Sequence, residues 1–303
     1  LKDRVTLHLG DGAVLRGSAD LADYNRDDAY PQNQVFVSER VTGAHLIVAL
    51  EAEDVAIDGP GVIDGNSAAF YGPPDRPGGK FTLPGKRPGQ MICFVECRRV
   101  RVADTRLENA PYWTLFLHGC ETVTVRGVRI ANPFATLNGD GIDVDTCRDV
   151  AISDCIIRSG DDSITLRANP APLKSRGRVC ENITVANCVL STPCNAIRVG
   201  VGDGAIRHAV FSNCVISDTR NGICLIGNYS GMSHKGADIE DVRFSNFSMK
   251  TVMPFFLFPG TPASARIRDI AFSGIRATGS KASVVRGIPG CRVSDIRFTD
   301  IDL

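Results

Sequence analysis

Hydrophobic and polar positions alternate in short bursts along this chain, and each burst is closed by the same kind of residue. One unit reads Cys97-Arg98-Arg99-Val100-Arg101-Val102-Ala103-Asp104-Thr105, and the next reads Cys120-Glu121-Thr122-Val123-Thr124-Val125-Arg126-Gly127-Val128. Further copies start at residues 147, 180, 206, 239, 267 and 293, giving spacings of 23, 27, 33, 26, 33, 28 and 26 residues. A self-similar period of this size marks a repeat architecture. The alternation has period two, so each burst is a strand with one buried face. Almost no helical periodicity is present.

The residue before the last apolar position of each unit is Asp104, Gly127, Asp154, Asn187, Asn213, Asn246, Gly274 or Asp300. Asn, Asp and Gly tolerate the left-handed backbone region. A bend at one fixed place in every unit implies a chain that winds identically each time. The expected architecture is all-β, a right-handed parallel β-helix running as a single domain over residues 1–303. A β-propeller is the competing architecture, but it needs antiparallel hairpin turns, and those signals are missing.

A second strand follows each unit, at residues 112–117, 139–144, 161–166, 194–199 and 220–225. Aligned on Ile142/Val144, Ile164/Leu166, Ile197/Val199 and Ile223/Leu225, these strands place Asp140, Asp162, Asn195 and Asn221 in one column. Asp143, Thr165, Arg198 and Cys224 form a second, outward column. Neighbouring parallel strands lie about 4.8 Å apart. Asp140 and Asp162 are therefore expected as neighbours, with Asp161 beside them.

Eleven cysteines would suggest a disulfide framework in a small domain, but this chain has 303 residues. Cys97, Cys120, Cys147 and Cys180 share one register of the repeat, and Cys155, Cys188 and Cys214 share another. Both registers otherwise hold apolar residues or Thr. Interior ladders of reduced thiols are the expectation. No Cys-x-x-Cys pair marks a zinc site. Net charge is zero, with 34 basic and 34 acidic residues, which argues against a general nucleic-acid or membrane-surface binder. No apolar run approaches the about 20 residues that span a bilayer.

Asp140, Asp161 and Asp162 carry the candidate chemistry. Three converging carboxylates cannot all ionise as free aspartates; repulsion raises at least one pKa and keeps a proton available. That suits glycosidic bond hydrolysis, which needs one protonated carboxyl and one carboxylate. Two other readings stay open: turn-forming Asp-Gly steps, and a calcium site.

On these residues the chain resembles the family 28 glycoside hydrolases, the polygalacturonase-like enzymes. The motifs are Asn138-Gly139-Asp140-Gly141 and Gly160-Asp161-Asp162. They are supported by Ile57-Asp58-Gly59-Pro60-Gly61-Val62-Ile63-Asp64-Gly65, by Arg87-Pro88 with Met91-Ile92, and by Pro111-Tyr112-Trp113-Thr114-Leu115. The resemblance implies a right-handed parallel β-helix and an inverting mechanism without a cofactor. It implies Asp161 as general acid, with Asp140 and Asp162 activating water.

Two departures matter. The family's Gly-His-Gly is Cys194-Asn195-Ala196 here, and its Arg-Ile-Lys is Cys224-Leu225-Ile226. In polygalacturonases that Arg and Lys bind the substrate carboxylate, so plain polygalacturonate is disfavoured. A rhamnogalacturonan-like or neutral-sugar polysaccharide or oligosaccharide is favoured. The candidate substrate-binding residues are Asn138, Asn195, Arg198, Trp113, Tyr229 and His234. Arg198 would supply a displaced cation, or else be a solvated edge residue. Trp113 would stack on a sugar ring or pack in the core. The Pro- and Gly-rich loop 72–89 and the loop 227–235 would wall the groove. The alternatives in function are a carbohydrate-binding β-helix without catalysis, and a β-helix lyase or epimerase, which a missing basic catalytic column disfavours. The family favours secretion or a periplasmic location, though buried thiols fit any compartment. The strand pattern is already under way at Val5-Thr6-Leu7-His8-Leu9, so a capping segment is expected upstream.

Overall fold

The computed structural model describes residues 1–25, 39–229, 234–260 and 265–303. Strands stack in parallel and wind into a right-handed β-helix. Each full coil contributes three strands. One face stacks Arg98–Ala103, Glu121–Arg126, Arg148–Ser153 and Cys180–Ala186. A second, short face stacks Arg106–Glu108, Arg129–Ala131, Ile156–Arg158 and Val189–Ser191. The third face stacks Ile92–Val95, Leu115–His118, Ile142–Asp145, Ile164–Ala168 and Asn195–Gly202. From residue 205 onward the three strands of a coil run on as longer extended segments, Ala205–Asn228 and Asp238–Gly260.

The expected bend is present in every unit. Asp104, Gly127, Asp154, Asn187, Asn213, Asn246, Gly274 and Asp300 all have φ between 52° and 64°. A second left-handed residue lies near the start of each long strand: Asp54, Arg99, Thr122, Asp149, Asn182, His208, Asp241, Asp269 and Asp295. Arg and Thr are poor candidates for that region, so their conformation is imposed by the neighbouring coils rather than by local preference.

The core is the bore of the solenoid. Val100, Val123, Val150 and Ile183 are consecutive partners across coils, and all are buried. Each such side chain removed from water contributes about 1.5–3 kcal/mol. Towards the C-terminus the same bore is filled by Phe211, Phe244 and Phe272, and the exposed Phe298 continues their stack, with centroids 4.9, 5.1 and 4.8 Å apart. The cysteine ladder is real: Cys97, Cys120, Cys147 and Cys180 are buried reduced thiols, and the Cys120 N–H donates to Cys147 Sγ at 3.2 Å. Burial pushes the Cys180 thiol up to about 12.

Candidate active site

The turns that open two adjacent strands of the third face carry the acids. Ile142 pairs with Ile164, so Asp140 and Asp162, each two residues earlier, fall in one column. The turns are bonded directly to each other: Gly160 N–H donates to Gly139 O at 2.9 Å, and Gly141 N–H to Asp162 O at 2.9 Å. A side chain at 141 would meet Ser163 O at 2.4 Å, so only glycine lets the coils approach this closely. Asn138 takes the left-handed bend at φ 48°. Its Oδ1 accepts from Arg87 Nη2 at 2.7 Å, and the Arg87 guanidinium lies 4.7 Å from the Tyr112 ring.

The column continues as expected: Asn195 pairs with Asn221, and Thr165, Arg198 and Cys224 are successive partners. The outward column is nevertheless not solvated. Asp143 and Thr165 are fully buried, and Arg198 is 8 % exposed.

The carboxylates have different surroundings. Asp162 Oδ2 accepts from Arg198 Nη1 at 2.9 Å, and Oδ1 accepts from the Asn195 side-chain amide. Burial alone would raise the Asp162 pKa. The Arg198 charge and these hydrogen bonds outweigh it and hold the group below the usual carboxylate range. Asp140 is pushed well above that range by burial and by the charges of Asp143, Asp161 and Asp162. Asp161 is half-buried, and its carboxyl is raised by burial and then by Asp162. Asp143 is pushed up to about 6 by burial, although Arg167 Nε donates to it at 2.7 Å.

Arg167 is the main element the sequence reading missed. It bonds Asp143, reaches Asp140 Oδ2 at 3.5 Å, and lies 4.2 Å from the Trp113 ring. A usable signal existed: Arg167 pairs with Asp145, on the outward side of the acid-bearing strands. Lys80 also reaches the site, from the loop 72–89.

A cavity of about 590 Å³ opens over this face. Asn138, Asp140, Asp161, Asn195, Arg198 and Trp113 line it, and Tyr229 closes one side with its ring 4.6 Å from the Arg198 guanidinium. Trp113 is 3 % exposed, held between Arg167 and the ring of Tyr112. His234 is not among the lining residues; it is exposed, and its backbone N–H donates to Asp203. Residues 230–233 of the loop 227–235 lie outside the described residues.

Oxygens of Asp161 and Asp162 and the Cys194 sulfur lie within 4.8 Å of one another, a spacing a metal ion would accept. The surroundings oppose one. Arg198 donates to Asp162, Arg220 donates to Cys194 Sγ at 3.0 Å, and burial keeps the Cys194 thiol protonated.

A parallel β-helix with buried acids of split environment along one groove is the architecture of a carbohydrate-active solenoid. Residues 32–252 match the model of the glycosyl hydrolases family 28, and the chain belongs to that family. Among relatives, polygalacturonase QRT2 of Arabidopsis thaliana is 25 % identical over 229 residues, covering 68 % of this chain and 51 % of that protein. The chain thus spans about half the length of the curated relatives it matches. Among solved structures, a hyperthermoactive exopolygalacturonase from Thermotoga maritima superposes with a TM-score of 0.70 at 18 % identity, covering 100 % of this chain and 80 % of its own. A polygalacturonase from Erwinia carotovora gives 0.68 at 18 % identity, covering 100 % and 81 %. At these identities the likeness is one of fold.

Proposed function

We propose that this chain hydrolyses glycosidic bonds of a pectin-type polysaccharide or oligosaccharide with inversion at the anomeric carbon. The observation that carries the reading is the split among the acids in one groove: Asp161 raised and open to the cavity, Asp162 held ionised. Environments that push carboxyl groups apart assign acid and base roles. In this reading Asp161 protonates the leaving oxygen, Asp162 takes the proton of the attacking water, and Asp140 orients that water. Asn195 holds Asp162 and, with Asn138, Trp113 and Tyr229, contacts the sugar. His234 is left without a role in the groove. No cofactor enters the scheme, and one solenoid over 1–303 carries it.

The substrate reading is finer. Where polygalacturonases hold a carboxylate with Arg and Lys, Cys224 and Ile226 adjoin Val252, Met253 and Phe256 in the cavity wall. Arg198, one coil away, already has its charge engaged by Asp162. A plain uronate would lose that Arg-Lys pair against an apolar stretch of wall, where Arg220, bonded to Cys194 Sγ, and Lys281 are further cations lining the cavity. A rhamnogalacturonan-like or neutral-sugar chain fits better than polygalacturonate.

The test is product release from polygalacturonate, rhamnogalacturonan and neutral pectic side chains, comparing the native chain with Asp161→Asn and following the product anomer by NMR. Loss of a general acid lowers the rate by about 10²–10⁴-fold. If nothing is cleaved while a glycan still binds, the chain is a carbohydrate-binding β-helix. Asn195 in place of the family's His is the observation that favours that second reading.

A further inference from the structure

Loop 72–89 is not a free excursion. Across its base Gly72 N–H donates to Thr82 O and Thr82 N–H to Pro73 O, Pro74 bridges antiparallel to Phe81, and Phe81 N–H donates to Ala135 O at 2.8 Å. The arm is thereby laid on the turn before Asp140, with Lys80 at its tip. The Lys80 ammonium donates to Phe134 O at 2.9 Å, to Thr136 O at 3.4 Å, and to Gly160 O. Gly160 is the residue before Asp161. Lys80 also lines the cavity beside Asp161.

An ammonium has three donors, and here three carbonyls take them. Lys80 is therefore poorly placed to bind a substrate group. Carbonyls are neutral, so its charge is not cancelled by a direct ion pair, and half-burial weakens solvent screening. Among the described residues, the groups that face Asp161 are Asp162 in its own turn, Asp140 on the preceding coil, Cys194 and Arg198 on the following coil, and Lys80 on the arm. Arg198 is bonded to Asp162 and Arg220 to Cys194. Lys80 alone of these cations has no partner of its own among those groups.

We propose that Lys80 is a positioning residue for Asp161: it pins the turn that carries this acid to the arm and sets a fixed positive charge beside its carboxyl. This rests on the proposed function for its catalytic meaning, but the interaction can be measured without substrate. The experiment is a ¹³C-carboxyl NMR titration of aspartate-labelled protein, with Asp161→Asn assigning the resonance. Lys80→Met should move the Asp161 midpoint up by about half a pH unit or more. Lys80→Gln keeps a donor but loses the charge and should move it equally. Lys80→Arg should restore the native midpoint. An unmoved midpoint in both uncharged variants overturns the proposal, as does an equal shift in Lys80→Arg, which would mean a local packing effect. If Lys80→Met does not fold, Lys80→Gln against Lys80→Arg decides. Where a substrate is cleaved, the alkaline limb of kcat/KM should follow the NMR midpoint. Full activity in Asp161→Asn would sink the functional reading while leaving the Lys80 result standing.

Discussion

Removing Arg198 tests the electrostatics of the acid cluster most directly. Arg198 Nη1 and Asp162 Oδ2 are 2.9 Å apart, with side-chain exposures of 10 % and 1 %. Deleting one partner of a buried pair costs about 3–5 kcal/mol, because the other charge is left in a poor solvent. Arg198→Met removes the charge and keeps most of the volume. Asp162 would respond by protonating. Its pKa would then lie above that of the unfolded chain, so the buried carboxyl would cost stability at neutral pH. Two Arg198 donors, Nε and Nη2, are buried without an acceptor, and losing them returns about 1–3 kcal/mol. Taking the middle of the first range, the expected net loss at pH 7 is about 1–3 kcal/mol. In the native chain the depressed Asp162 pKa gives stability that is present above about pH 3.9 and lost as pH falls through the lower folded value. In the variant the raised pKa reverses this, so the gap between the two proteins narrows as pH falls from 7 to 4.5. Guanidinium unfolding followed by the fluorescence of Trp113, the single tryptophan, reads the coil next to the site. Equal losses at pH 4.5 and 7 would refute the electrostatic account.

Three further outcomes are expected. Thr122 is an exposed β-branched residue at φ 59°, so Thr122→Asn should raise stability by about 1 kcal/mol in thermal melts, and no gain would mean that the stack favours Thr for another reason. Cys147 Sγ accepts from Cys120 N–H inside the ladder; Cys147→Ala should cost about 1–3 kcal/mol in the same unfolding assay, and the ladder thiols of the native chain should resist iodoacetamide until it unfolds. The double change Cys224→Arg, Ile226→Lys should raise kcat/KM on polygalacturonate by about tenfold or more, and an unchanged value would show that the apolar wall does not set specificity.

The winding of the chain was legible because it is written locally and repeatedly. Asn, Asp or Gly at eight equivalent positions bends the backbone wherever it occurs, and alternation fixes which side chains enter the bore. The second bend is less legible, because it holds Asp or Asn in some units but Arg99 and Thr122, which do not prefer it, in two successive ones. They take it because the coils on either side leave no other path, which is a property of the stack and not of the residue.

The same division runs through the site. Asp140 and Asp162 could be placed from strand register alone, since a parallel stack turns sequence offsets into columns. What could not be read is the company each acid keeps. Lys80 comes from 80 residues before Gly160, and no repeat or motif links them. Arg198 was visible as a cation near the column, but its exposure and its partner were not. That company decides the chemistry. With the three aspartates in equal surroundings, repulsion would raise one pKa without saying which. Arg198 and Asn195 single out Asp162 as the ionised member, and burial among other acids leaves Asp140 and Asp161 raised. Both line the cavity, and Asp161 is the more exposed of the two, which fits it better to reach a leaving oxygen in the groove. In the proposed scheme the acid and the base are thus distinguished by the third dimension, where the sequence makes the aspartates look alike.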